Sequence, residues 1–393
     1  MKKPMLMVAI MIVFLIVLFF NTSIAYAHSD SESELNDEIQ KELDQILLKG
    51  DFEKFFAEIE NEHKFNFGGS FREAVEKILR GDASAVSEFF NVVLQAISGN
   101  IPTVIFDLSV ILVLALLYSL SKNLNSGFLK ASTNNVIYYI IYSSVIAILC
   151  IIVVNSIILV KRVINIIAHL TEIAFPILLT LSVAIGGTAT ASSYSSITLI
   201  FSEVVLKVSD KIIMPLYIAS TVFTFISCLT KGIKLNRITN GIGAVMKWIM
   251  GGMFGLIISV TAARGIVGAA IDGITVRTAK FAVSSYVPII GGYLSDGFDI
   301  ITASAVLLKN SIGLCALIVL FLSIVKPITE IIITSLALKI AAGITETIGA
   351  DGISDVLQTT SKNLGTLSAL ILSCLFCASL MIIGLISSFN GVV

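Results

Sequence analysis

Residues Val136–Val160 read V-I-Y-Y-I-I-Y-S-S-V-I-A-I-L-C-I-I-V-V-N-S-I-I-L-V, a run without a single charged side chain. A helix needs roughly 20 apolar residues to cross the hydrocarbon of a bilayer, and this run exceeds that. Lipid offers no partner to a bare backbone, and nothing here alternates like a barrel strand, so the run reads as helix. Similar runs recur at Pro102–Leu120, Val163–Ile185, Ile212–Leu229, Trp248–Ala270, Ile312–Val325 (continuing to Ala342) and Leu364–Ser388. The pattern predicts an all-α, polytopic membrane protein with about seven transmembrane helices, in a range of six to eight. Composition agrees: 56% of residues are hydrophobic and 13% charged, with a mean hydropathy of +0.96. Soluble domains carry about 25% charged residues, so a soluble globular enzyme, a disordered chain and a basic nucleic-acid binder are all excluded.

The formal net charge of −1 hides a division. Residues 28–100 hold 16 acids against 7 bases, a net of −9, whereas residues 101–393 carry 17 bases against 11 acids, a net of +6. Ahead of both, Lys2-Lys3, the apolar run Met5–Phe20 and Ala25-Tyr26-Ala27 predict a signal peptide over 1–27, cleaved before His28. Residues 28–100 then read as a small helical extracytoplasmic domain. Leu35, Ile39, Leu43 and Ile46 recur at helical spacing, and Ser70 with Glu73 forms a capping box before Phe71, Val75 and Ile78. No cysteine lies in it, so no disulfide holds it, and its short apolar layers make a marginal core that leans on the membrane domain or a partner. Its acidic face suits docking, although a charged helix face is more often simply solvated.

Residues 101–393 form the predicted transmembrane domain. With the acidic domain outside, the Ser121–Asn135 loop is cytoplasmic, as is the basic cluster of Lys231, Lys234, Arg237 and Lys247. Both hold only if Ser195–Ser209 makes an extra crossing; otherwise that segment lies along the interface as an amphipathic helix. Pro176, Pro215, Pro288 and Pro327 fall in or beside apolar runs and predict broken helices, a feature of transport sites. The two pairs are equally spaced, as a duplication would leave them, yet the residues around them barely agree.

Charged groups within spans face a bundle interior or water. His169 and Glu172 stand one turn apart, which suits a proton relay or half a metal site, or more plainly an interhelical hydrogen-bonded pair. Asp107, Arg264 and Glu330 also fall within or near spans. Cys374-Leu375-Phe376-Cys377 has redox spacing, but in an apolar helix without a second ligand pair it reads as small apolar filler. Three histidines and no HExxH, P-loop or G-x-S-x-G motif leave no catalytic, metal or cofactor site to predict.

The most distinctive stretch is Arg264–Gly313. It reads as a weakly amphipathic loop and re-entrant region with a turn at Pro288, Gly291 and Gly292. Asp272, Asp296 and Asp299 stand in it against Arg277, Lys280 and Lys309. Such a segment either caps the bundle or lines a pore or gate. Its runs R-T-A-K-F-A-V (Arg277–Val283), V-P-I-I-G-G-Y-L-S-D (Val287–Asp296) and L-K-N-S-I-G (Leu308–Gly313) closely resemble the stage III sporulation protein AE family of endospore-forming bacteria. The order of signal peptide, acidic ectodomain and polytopic region resembles it as well.

The resemblance implies a multi-pass protein of the mother-cell membrane around the forespore. Its implied partners are the other membrane proteins of the same sporulation operon and a forespore-side protein, joined in a transenvelope channel (feeding-tube) complex needed for late forespore development. It implies no catalytic residue, cofactor or nucleic acid, and an oligomer is compatible with it. The leading expectation is therefore a non-enzymatic channel component. The alternative is a secondary transporter for a small solute or ion, suggested by the broken helices with Glu172, Arg264 and Glu330.

Overall fold

The computed structural model describes residues 102–120 other than 103 and 107, then 131–229, 236–286 and 291–388. The expected signal peptide and acidic domain lie outside the described residues, as do Pro288 and the Lys231 and Lys234 part of the basic cluster. Among the described residues there is no strand. The elements are α1 (Val104–Leu120), α2 (Ala131–Ala184), α3 (Thr188–Ile200), α4 (Met214–Leu229), α5 (Asn236–Tyr286), α6 (Gly291–Thr347) and α7 (Asp351–Ser387). Five of the described helical stretches are long and apolar enough to cross a membrane, and α1 is a shorter apolar helix.

Two of the expected runs are continuous in one helix. Val136–Val160 and Val163–Ile185 fuse into α2, 54 residues long, because Lys161 and Arg162 between them stand exposed and leave the backbone ladder intact. At 1.5 Å per residue α2 is about 81 Å long, more than twice the ~30 Å of a hydrocarbon core. Pro176 does not break it either. The ring sits on the outward face, so the carbonyl it deprives of a donor is not pressed against a neighbouring helix. Pro327 likewise lies inside α6.

Pro215 has a visible effect. Between α3 and α4 the helix changes register through two π-helical segments, Phe201–Leu206 and Ser209–Ile213, and Met214 N–H donates to Ser209 O. Widening the turn just ahead of Pro215 accommodates a residue with no amide proton. Ser195–Ser209 runs through these segments without a break. It continues into α4, with Tyr194, Ile197, Phe201 and Val205 in the core. The Arg264–Gly313 stretch is also corrected: Arg264 and Lys280 lie on α5, and Gly291, Gly292, Asp296 and Asp299 begin α6 as helix rather than as a loop.

Helix α6 is central. Its most apolar 18-residue stretch is 83% buried, against 22% for α5, which lies at the periphery. It pairs with α7 as an antiparallel hairpin whose turn is a Schellman motif. Gly349 (φ 82°) donates to Glu346 O and Ala350 to Thr345 O, both at 3.0 Å. Along the hairpin Ser335 Oγ donates to Ser361 O (2.9 Å) and Ser361 Oγ to Ser335 O (2.7 Å), a reciprocal pair between helices. Ser119 of α1 reaches Ile348 O at 2.8 Å and ties α1 to the hairpin end.

Glycines set the closest crossings, as expected where helices meet without a hydrophobic driving force. Gly313 of α6 lies under the Ile386 side chain of α7 and faces Leu178 of α2. Gly384 of α7 lies under Thr261 of α5 and Tyr194 of α3. These contacts place Leu178, Tyr194, Thr261, Gly313 and Gly384 at one level of the bundle.

Candidate functional site

A buried carboxylate joins α3 to α5 at the end of α2. Helix α2 ends because Gly186 adopts φ 97°, a backbone that side chains disfavour. Its N–H donates to Val183 O (2.9 Å) and Gly187 N–H to Ser182 O (2.8 Å), completing a second Schellman turn. Helix α3 then begins at once, with Gly187 where a side-chain cap would normally stand. The cap comes instead from a remote helix. Asp272 of α5, 1% exposed, accepts from Ala189 N–H at Oδ1 and Thr190 N–H at Oδ2, each at 2.8 Å. A carboxylate suits this place because the first amides of a helix point outward and carry the positive end of its dipole.

Val276, one turn along α5, closes the corner. It packs with Ile185 and Ala305, so α2, α5 and α6 meet there. A Cβ on Gly186 would stand 2.7 Å from Val276 Cγ2. Gly186→Ala therefore meets both a clash and a left-handed backbone costing about 1–2 kcal/mol. Its thermal midpoint in detergent should fall clearly below that of Gly343→Ala, a control position open to space.

The other sequence-predicted residues do not converge on this corner. Lys309 is fully buried on α6, one turn beyond Ala305. Glu330 is half-buried, with Lys326 and Arg162 close enough to act on its charge. Arg277 is exposed beside Val276, while His169 and Glu172 are both exposed on α2. Cys374 and Cys377 are free thiols buried in α7, and Cys374 Sγ lies 3.4 Å from Ser209 Oγ. Among the described residues, no group of three or more His, Cys, Asp or Glu side chains is placed to hold a metal.

Sequence reasoning missed the Lys161–Asp210–Lys211 chain, with Nζ–O distances of 3.6 and 3.4 Å. Lys211 follows Asp210 directly, but Lys161 comes from another helix, and no local pattern foretells it.

The model of the family described as Stage III sporulation protein AE matches residues 69–389 of this chain. The chain belongs to that family. The match to the stage III sporulation protein AE family covers every described helix in α2–α7, including Asp272 and the Gly186 turn, and it starts within the acidic segment. Stage III sporulation protein AE of Bacillus subtilis (strain 168) is 26% identical over 210 residues, which are 53% of each chain. The chain thus spans about half the length of that curated relative. No solved structure matches.

Proposed function

We propose that this sporulation membrane protein is a non-enzymatic component of a transenvelope channel between mother cell and forespore. In this reading it sits in the mother-cell membrane. Residues 1–27 are a cleaved leader, 28–100 dock extracytoplasmically on partners, and 101–393 form the membrane part. The observation that carries the reading is the family match over 69–389, falling on a bundle of five long apolar helices. Pro176 and Pro327 lie inside continuous helices rather than at paired breaks, which removes one of the features that suggested the transporter alternative.

The test is deletion and complementation in the sporulating host. Removing the chain should leave engulfment intact while late forespore gene expression and heat-resistant spore counts collapse, and the intact chain should restore both. Normal late expression in the deletion strain would sink the reading.

A further inference from the structure

The outer surface of the bundle has two chemically different sides at the same level. Along the C-terminal half of α2, Asn165, His169, Glu172, Pro176 and Thr180 are all exposed. Steps of three and four residues put them on one helix face. Adjoining α3 exposes Ser192 and Ser195. At the far end the two helical runs are joined by the Lys161–Asp210 ion pair. The outward face of α5 is different: Trp248 is 83% exposed, and Leu256 and Ile258 turn outward two to three turns along. The exposed Ser259 hydroxyl is spent on Gly255 O (2.7 Å), and the one exposed charge on this stretch, Lys247, lies at the Trp248 end.

The difference is not one of depth. Leu178, Tyr194 and Thr261 are held at one level through Gly313 and Gly384, and Glu172, Pro176 and Thr180 of α2 and Leu256 and Ile258 of α5 all lie within about two helical turns of it. The N-terminal half of α2 strengthens the contrast, since it turns Ile151, Val154 and Ile158 outward. Hydrocarbon suits Trp248, Leu256 and Ile258 but solvates neither an imidazole nor a carboxylate, and intramembrane charges of this kind face water or protein.

We infer that the α2–α3 face, from Asn165 to Thr180 with Ser192 and Ser195, is one wall of an aqueous path through the membrane, and that α5 faces lipid. The path suits hydrophilic solutes: it presents hydroxyls, an amide, an imidazole and a carboxylate, with no continuous apolar strip. The inference rests on the channel reading only for what encloses the rest of the path, namely other protein subunits.

Single cysteines test it in the full chain in sporulating cells. The parent chain supplies the blank for its five native cysteines. A membrane-impermeant thiol reagent is applied to inverted and to right-side-out vesicles prepared from those cells, because in intact cells it does not reach the membrane around the forespore. Asn165→Cys, His169→Cys and Thr180→Cys should label several-fold above the parent from at least one side, while Trp248→Cys, Leu256→Cys and Ile258→Cys should stay at the parent level.

Labelling of both sets would put this whole level outside the bilayer, and labelling of neither would mean that lipid or protein covers the α2 face; either result overturns the inference. The deletion phenotype is read separately. Normal sporulation without the chain, together with the expected labelling, removes the channel reading and leaves the aqueous face standing.

Discussion

Asp272→Ala is expected to lower the thermal midpoint of the solubilised protein more than any other single truncation of a charged residue named above. The carboxylate serves two amides, Ala189 N–H and Thr190 N–H, in a corner where Asp272 itself is 1% exposed. Truncation leaves both donors without an acceptor, and a buried donor left unpaired costs about 1–3 kcal/mol. Gly187 cannot compensate, having no side chain to cap with. Asp272→Asn keeps one acceptor oxygen but turns an amide N–H2 toward the other donor, so it should fall between Asp272→Ala and the parent. Arg277→Ala, on the same helix but exposed, is the control and should be near neutral. The change should also be local. Limited proteolysis ought to reveal a new cut near Gly186–Thr188, where α3 loses its anchor, while the Ser335–Ser361 hairpin stays resistant. Equal midpoints for Asp272→Ala and Arg277→Ala would show that the cap does not hold this corner.

How much of this was legible in the sequence depended on whether the cause was local. The apolar run Val136–Val160 announces its helix, because span length and missing charge are properties of the segment alone. Its fusion with Val163–Ile185 is not announced. Whether Lys161-Arg162 ends a helix depends on what stands beside it, and Asp210 belongs to another element. The same holds for the site. Asp272 is conspicuous as an acid in an apolar stretch, yet its partners lie 83 and 82 residues away and are backbone amides, which no side-chain pattern marks. His169 and Glu172 share a face by spacing, which is legible; that the face points outward is a property of the packed bundle. Pro176 and Pro327 mislead for a related reason. Proline breaks an isolated helix, but the exposed Pro176 leaves its freed carbonyl unobstructed, and the buried Pro327 is held by the helices packed around it.

Gly384→Ala and Gly365→Ala should have opposite signs, although both glycines lie in α7. In a helix interior alanine is favoured over glycine by about 1 kcal/mol, so the substitution stabilises wherever the methyl has room. Gly365 has nothing within 4 Å of a would-be Cβ, and its alanine variant should be as stable as the parent or more so. At Gly384 the methyl would stand 2.7 Å from Thr261 Cγ2 and 2.8 Å from Tyr194 Oη. Neither neighbour can retreat easily: Tyr194 is 1% exposed, and Thr261 has one preferred rotamer or two on its own helix. Overpacking of this kind costs about 1–3 kcal/mol, which outweighs the propensity gain, and Gly384→Leu should prevent close docking of α7 on α3 and α5 altogether. A double-mutant cycle locates the cause. Thr261→Ala removes one of the two clashing groups, so it should recover part of the stability lost in Gly384→Ala while costing little in the parent. Thermal midpoints of the four chains in detergent give the coupling. Additive effects would mean that α5 and α7 do not meet at this glycine, and the single cross-section through Leu178, Tyr194 and Thr261, on which the two-sided bundle depends, would go with it.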